Sequence, residues 1–522
     1  MSDIVEEVLK EIGPCVSGQL IDELVERHGL SNAAARQRLS RNKSIKRLAY
    51  LPFPKKARFL YFSGDYGAPK FWSALTSALL EQTVAHGGAL AALLARKELM
   101  PVSHFSIACG SPVAQKGHLS PATVLNILQK AELVQLVQVP GIGSCVQLSQ
   151  QEAPEPHEIS QLRARLKTEE ILLLAIKDWV RKLGLVSYDK VKLRNDEAGA
   201  EQPKVGTFHW DLSAPSYLAP MVNWSGEALR PGFLVCDVLL GRQIYPRDLK
   251  PFINKCKTLR SLKGINRCLQ IFVAEDYHVE ARRLAKEAGI VPATPESLFG
   301  EEVAKSLKQL TSVLQDAFVG SSNVEQIGEI FSRLSRIEGA ATNLRGALFE
   351  YLAAEILRGT GKSSYIKMNE IFEDGKGGKA EVDVLSVLNN QLTRFIECKG
   401  YKPGGMIPDD EVKKWLTKIP IVRGAALNNS LWRGHRLAFE FWTTGTLSDE
   451  SHEMIKTAQR VSPNKYTVTV VETQELSSMA ASCNDKQLMG NLNQHFFEHP
   501  LETVDRHMER RRLKQQAREK TA

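Results

Sequence analysis

The stretch that most constrains the chain runs from Ala380 to Gly400, AEVDVLSVLNNQLTRFIECKG. Two alternating runs, Glu381 to Leu388 and Leu392 to Lys399, flank Asn389-Asn390-Gln391, and that pattern marks a β-hairpin. Side chains two apart on a strand share a face, so Glu397 and Lys399 point the same way, and Asp383 on the neighbouring strand can lie opposite them. Two carboxylates and an ammonium at the end of an apolar hairpin are costly to desolvate unless something uses them. A hard divalent cation such as Mg²⁺ would, because it takes oxygen ligands and keeps several waters for a phosphate. The bland alternative is a cross-strand charge pair on a solvated face, which Glu-x-Lys alone usually is.

The rest of the composition sets the frame. A chain of 522 residues has length for three or four domains with real cores. Its 43% hydrophobic and 24% charged content are ordinary globular values. No apolar run reaches the roughly 18 residues of a membrane span, and the opening MSDIVEEVLKEIG is acidic and amphipathic rather than a secretory signal. The eight cysteines show no Cys-x-x-Cys or Cys/His ligand spacing. Reduced thiols in a cytoplasmic protein, with no structural zinc and no membrane partner, are expected.

An acidic residue at a strand end followed by Glu-x-Lys on the next strand resembles the PD-(D/E)XK, or restriction-endonuclease-like, nuclease superfamily. The matching residues are Asp383, Glu397 and Lys399, in D-x13-E-C-K. The Pro of the family name is absent, because Val382 precedes Asp383. The resemblance implies a further acid on the helix before the hairpin. Asn343 to Arg358, NLRGALFEYLAAEILR, reads as that helix, with Glu350 as the candidate and Glu355 as the alternative. Gly346, Ala347, Ala353 and Ala354 would give Glu350 a small-residue face able to approach a sheet closely. By the same resemblance, Asp383, Glu397 and the backbone carbonyl of Cys398 would hold Mg²⁺, or Mn²⁺ in its place. Glu350 would support that metal or a second, and Lys399 would position the attacking water. Lys413 and Lys414, on a helix expected from Asp410 to Thr417, are minor phosphate-site candidates. Asp383, Glu397, Lys399 and Glu350 are thus the candidate catalytic set, and the implied product is a cut phosphodiester, most often with a 5′-phosphate end.

Charge is unevenly spread. From Arg27 to Arg58 there are ten Lys/Arg and no Asp/Glu, an excess as large as the whole chain's +9. Such a patch suits a phosphate-backbone binder. It lies on three expected helices, Ile4 to Ile12, Ser17 to His28 with Ser17 as cap, and Ser31 to Asn42 from a Ser31 cap, followed by a strand pair at Lys46 to Tyr50 and Arg58 to Phe62. Helix, helix, helix and a basic-tipped hairpin resembles the winged helix-turn-helix. That resemblance implies a third helix entering a major groove and a wing touching backbone. The candidate DNA-binding residues are Arg36, Arg38, Arg41, Lys43, Lys46, Arg47, Lys55, Lys56 and Arg58.

A second, less basic module follows, with helices at Lys70 to Gln82, Gly88 to Lys97 and Ser120 to Ala131, then a hairpin around Pro140-Gly-Ile-Gly143. SQQEAPEPHE, residues 149–158, reads as a linker. Beyond it strands and helices alternate, with strands expected at Lys204 to Asp211, Phe233 to Leu240, Leu269 to Ala274 and Ile290 to Ala293. That order resembles the nuclease core a second time, with Asp211 and Asp237 in the two acid positions and Leu239 where the lysine belongs. A plain α/β scaffold fits the pattern equally. Gly375-Lys-Gly-Gly378 reads as a loop rather than a phosphate cradle. Asp505 to Lys520, with seven Lys/Arg against three acids, reads as a basic tail.

The expectation is therefore an α/β (α+β multidomain) protein. Its parts are a winged helix at 1–66, a second winged-helix-like domain at 67–150, an α/β domain at 159–300, a helical connector at 301–338, a catalytic restriction-endonuclease-like domain at 340–480 and a basic tail at 481–522. Three functions stay open. One is a Mg²⁺-dependent DNA endonuclease of restriction or antiphage defence, with a homodimer or partner defence proteins. The second is a nuclease of DNA repair, recombination or transposition. The third is a non-catalytic DNA-binding regulator with a retired nuclease fold.

Overall fold

The computed structural model describes residues 3–497 apart from 49, 150, 196–200, 226–227, 320–339, 362, 376, 389–390, 433 and 462–465. The architecture is mixed α/β, with several small sheets among many helices. The chain groups into two compact units: Met1–Gln138, Ser144–Pro154 and Trp179–Leu298 form one, and Val139–Gly143, Glu155–Asp178 and Phe299–Ala522 the other.

In the first unit, apolar residues three and four apart turn helices Ile4–Ile12, Ser17–His28 and Asn32–Arg41 inward. Val5, Val8, Leu20, Leu24, Ala35 and Leu39 share one core. Ser31 caps the third helix by accepting from Ala34 N. Ser17 does not cap the second; its hydroxyl accepts from Arg58 N at 3.1 Å, tying the helix to the strand that returns beside it. Strands Cys15–Val16, Lys46–Arg47 and Phe59–Tyr61 form a three-stranded sheet with Phe59–Tyr61 in the middle.

The same order recurs in the following segment. Helix Ala85–Leu94 precedes strand Leu99–Pro101, helices Val102–Ala108 and Pro121–Lys130, and strands Val134–Val139 and Gly143–Leu148. Again the last strand lies in the middle. Leu99–Pro101 and Val102–Ala108 were not expected from the sequence, being only three and seven residues long.

The first unit's main sheet runs in the order Lys192–Leu193, Leu212–Ser216, Gly232–Ile244, Cys268–Tyr277, Val291–Ala293. The first three strands pair antiparallel and the last three parallel, with helices Pro246–Ser261 and Val279–Glu287 as the crossovers. The single strand expected from Lys204 to Asp211 is broken. Gly206, at φ +61°, turns the chain into a separate small hairpin, Lys204–Val205 with Phe208–His209, and Asp211 stands at the head of the next strand.

The second unit's sheet runs in the order Tyr365–Glu373, Lys379–Leu388, Leu392–Lys399, Arg436–Thr443, Thr467–Val471. Its pairings are antiparallel, antiparallel, parallel and parallel. Helices Asp409–Asn428 and Asp449–Val461 are the crossovers, and helix Ala340–Gly359 precedes the sheet. Phe372, Phe395, Phe439 and Phe441 pack with Trp415, Ile419 and Val422 of the first crossover. The glycine cluster at 375–378 is the turn between the first two strands, where Gly378 N donates to Asp374 Oδ1 at 2.7 Å.

Three expected boundaries differ: Glu155–Asp178, which takes in the start of the domain expected at 159–300, groups with the second unit. Helix Glu301–Val319 belongs to the second unit, where Thr311 and Thr168 hydroxyls lie 2.9 Å apart; residues 320–338 of the expected connector lie outside the described residues. Helix Lys486–Leu492 and Phe496 pack beyond the boundary expected at 480, with the Phe496 and Phe349 rings 5.5 Å apart. The basic stretch Asp505 to Lys520 also lies outside the described residues.

Candidate active site

The hairpin strands Lys379–Leu388 and Leu392–Lys399 hold a regular register from Leu388↔Leu392 to Val384↔Ile396. Asp383 and Glu397 come next, one step beyond the last ladder pair. There Asp383 Oδ2 accepts from Cys398 N at 2.7 Å, so a side chain replaces the missing backbone acceptor. Cys398 is engaged through its amide. Its buried thiol is pushed far above the usual range by burial and then by Asp383, Glu350 and Glu397, which leaves it inert.

Glu397 and Lys399 share a face, as the alternation requires. Lys399 Nζ lies 3.1 Å from Glu397 Oε1 and 3.1 Å from Glu411 Oε2. Lys418 Nζ grips the same carboxylate at 3.0 and 2.9 Å. Burial alone would lower both ammonium groups, but the carboxylates, Glu397 foremost, outweigh it and raise them. Lys418 and Glu411 were missed by the sequence reading. The candidates Lys413 and Lys414 are exposed instead, and Lys414 reaches only Glu411, at 3.9 Å. The helix runs from Asp409 through Pro420 to Asn428, so Lys418 lies one residue past the end expected at Thr417.

Glu350 reaches the site from helix Ala340–Gly359. Burial, countered by Lys167 and reinforced by Glu381 and Glu170, pushes its carboxyl up to about 7. Glu355 does not compete: five residues on, it faces about 140° away and pairs with Arg358. Asn369 stands between Glu350 and Asp383. With its amide nitrogen turned toward them, it donates to Glu350 Oε2 at 3.3 Å and to Asp383 O at 3.2 Å. Its φ of 53° interrupts the edge strand at that point. Lys167, on helix Pro156–Lys182, is 3.3 Å from Glu170. Its ammonium, which burial would lower, is raised by Glu170, Glu350 and Glu381.

The helix can come this near because Gly400 has no side chain. A Cβ there would stand 2.5 Å from Phe349 Cβ and 2.7 Å from Arg345 O. Phe349 precedes Glu350, so the close approach sets where the carboxylate lies.

The charge balance of the cluster is its main chemical feature. Asp383 is raised well above the carboxylate range by burial, then by Glu397 and Glu350. Crowded carboxylates held beside Lys399 and Lys418 are an oxygen-donor set that suits a hard cation. Among the described residues no group of three or more His, Cys, Asp or Glu side chains is gathered ready to hold a metal. Mg²⁺ needs only one or two carboxylates beside substrate phosphate oxygens and water, so Asp383 and Glu397 fit it.

In the first unit, all nine candidate DNA-binding residues, Arg36, Arg38, Arg41, Lys43, Lys46, Arg47, Lys55, Lys56 and Arg58, are exposed. Arg47, on strand Lys46–Arg47, also donates to Leu39 O at 2.6 Å, which ties it to the third helix. Lys55 and Lys56 form the turn at the tip, both with positive φ. Among the described residues, no helix is long and apolar enough to cross a membrane, and all eight cysteines carry free thiols.

No protein-family model and no curated protein matches the chain. Solved structures similar to it include restriction endonuclease FokI bound to DNA, at 12% identity over 91% of this chain and 81% of that one, with a TM-score of 0.19. Another structure of restriction endonuclease FokI is similar at 12% identity over 90% and 83%, with a TM-score of 0.18. Likenesses at those values establish neither fold nor function.

Proposed function

We propose that the second unit is a Mg²⁺-dependent DNA endonuclease of the PD-(D/E)XK type, brought to DNA by the basic winged-helix module of the first. The observation that carries this reading is the meeting of Asp383 and Glu397 at the open end of the hairpin, beside Lys399. Asp383, Glu397 and the Cys398 carbonyl would hold Mg²⁺ or Mn²⁺, with Glu350 alongside. When bound, the ion supplies a water of lowered pKa and neutralises charge developing on the phosphoryl oxygens.

The chain's own residues do the rest. Lys399, steadied by Glu411, presents an ammonium that orients the attacking water and offsets negative charge on the transferring phosphoryl group. Lys418 holds the Glu397 carboxylate in place. Asn369 fixes Glu350 against the backbone of Asp383, and the Cys398 amide fixes the Asp383 side chain. Arg36, Arg38 and Arg41 on the third helix, with Lys55 and Lys56 at the turn, offer cations to the phosphate backbone.

A plasmid-cleavage assay with Mg²⁺ tests the reading. Wild type nicks or linearises the plasmid, whereas Lys399→Ala and Asp383→Ala do not. Equal behaviour of all three overturns the catalytic assignment. Linear and branched DNA offered in parallel separate a restriction-like or defence enzyme from one acting in recombination or repair.

A further inference from the structure

The first unit's sheet contains a buried constellation that the proposed reaction does not use. Its register pairs Leu212 with Cys236, which sets Asp211 and Asp237 side by side one step beyond, as Asp383 and Glu397 are set. Asp211 Oδ2 accepts from Val238 N at 2.7 Å, matching the bond from Cys398 N to Asp383 Oδ2, also 2.7 Å. In each case the donor is the residue after the second acid. Asp211 N also donates to Asp237 Oδ1 at 3.1 Å.

The cations differ. Lys255, from the crossover helix that follows, bonds the second acid, with its ammonium 2.6 Å from Asp237 Oδ2 and 3.2 Å from Ile107 O. It also lies 3.8 Å from the centre of the Trp210 ring. Two oxygen acceptors and an aromatic face satisfy an ammonium with three donors. Lys255 is 1% exposed. Arg194 neutralises Asp211 from the edge strand side at 3.1 Å. Leu239, also 1% exposed, fills the position that Lys399 holds in the other sheet. Two acids, one ammonium and one guanidinium thus form a buried group in which each acid has its own bonded cation.

We propose that this sheet is a second copy of the metal-dependent core in which the Lys255 ammonium permanently occupies the divalent-cation site. The domain then folds without metal and carries no cutting centre. The inference rests on the reading of Asp383 and Glu397 as metal ligands, since that reading identifies the equivalent place between Asp211 and Asp237. An ammonium is a fitting substitute: it is a compact cation that bridges oxygen acceptors and needs no water shell once buried. The lysine comes from the crossover helix equivalent to the one that carries Lys418, whose ammonium holds both oxygens of Glu397 at 3.0 and 2.9 Å but stays 31% exposed where Lys255 is sealed in.

The test uses the full chain with Asp383→Ala and Glu397→Ala, which silences the other site, and asks whether removing Lys255 creates a need for metal. In that background, Lys255→Ala should melt lower than its parent, and millimolar Mn²⁺ should raise its melting temperature by about 5 °C or more. The parent should show no Mn²⁺ response. Refolding from urea with and without Mn²⁺, followed by circular dichroism, covers the case in which Lys255→Ala does not fold unaided; Mn²⁺-dependent recovery supports the proposal. A paired Lys255→Met and Asp237→Asn variant, with no net charge removed, should fold and ignore Mn²⁺. Loss of folding that Mn²⁺ does not repair, or a Mn²⁺ response in the parent, overturns it. Failure of plasmid cleavage by wild type would strike the nuclease reading without altering these melts.

Discussion

The two main sheets share strand order, pairing sense and the hydrogen bond that locks the first acid, yet that first acid is shifted in opposite directions, while Asp237, the second acid of the first sheet, is itself pushed up to about 6 by burial. Asp211 is held below the usual carboxylate range, because Arg194, His104, the Val238 amide and Arg96 together outweigh its burial. Asp383 makes the same amide bond and is pushed far above that range by burial, Glu397 and Glu350. The shared backbone geometry therefore does not set the charge state of the first acid; the surrounding charges do. In the first sheet Lys255 bonds Asp237, Arg194 bonds Asp211, and Arg96 adds further positive charge near Asp211. In the second, Glu350 adds a third acid, and Glu411 draws on Lys399. A site left with surplus negative charge is one that a cation can enter.

The sharpest way to break this comparison is to remove the equivalent acid from each sheet. Asp383→Asn should lower the cleavage rate by about 10³-fold, the cost of losing a group that stabilises the transition state. Asp211→Asn should leave the rate per folded molecule unchanged. It should instead lower stability by about 3–5 kcal/mol, because the buried ion pair between Arg194 and Asp211 loses its negative charge. Plasmid linearisation and urea unfolding, run on both variants, separate the two outcomes. A cleavage defect of similar size in both would mean that the sheets act together.

The lysines come next. Lys418→Met should cost about 10- to 100-fold in rate, as supporting residues around a metal site commonly do. Leu239→Lys should gain no activity, since Lys255 and Arg194 already neutralise the acids it would join. Activity in that variant, with Asp383→Ala present, would show the first site to be open.

The paired helical modules allow a milder version of the same contrast. Their strand orders agree, but the third helix of the first, Asn32–Arg41, carries Arg36, Arg38 and Arg41, whereas Pro121–Lys130 carries only Lys130. Replacing the three arginines with Gln should weaken DNA binding and flatten the slope of log affinity against log salt by about 2.7. Lys130→Gln should change the slope by less than about 1. An unaltered slope in the triple variant would move the DNA contact elsewhere.

What the sequence disclosed follows from how local each signal was. The hairpin from Lys379 to Lys399 was legible because alternation and a short polar turn occupy one continuous window. The edge strand Tyr365–Glu373 was not, because Asn369 adopts positive φ in its middle and Lys367, Asn369 and Glu370 blur its period. Strand Lys192–Leu193 is two residues long and exists only through its pairing with Leu212–Ser216. Lys418 and Lys255 could not be singled out, since each is one lysine among several on its helix. Only the folded crossover shows which one turns toward an acid. Glu350 could be singled out for the converse reason: of the two acids on that helix, it is the one flanked at three and four residues by Gly346, Ala353 and Ala354.

Gly400 gives the smallest expected effect and the most local test of the comparison. In the first sheet the corresponding position, three residues after Asp237, is Leu240, so a side chain is accommodated there. In the second sheet a Cβ at position 400 would overlap Phe349 Cβ and Arg345 O. Gly400→Ala must therefore displace helix Ala340–Gly359, at about 1–3 kcal/mol of stability for an overpacked contact. The displacement carries Glu350 away from Asp383 and Asn369, and the cleavage rate should fall by about tenfold. Urea unfolding and single-turnover cleavage of the same preparation distinguish the two effects. A variant that loses stability but cuts at the wild-type rate would remove Glu350 from the reacting site and leave Asp383, Glu397 and Lys399 as its whole.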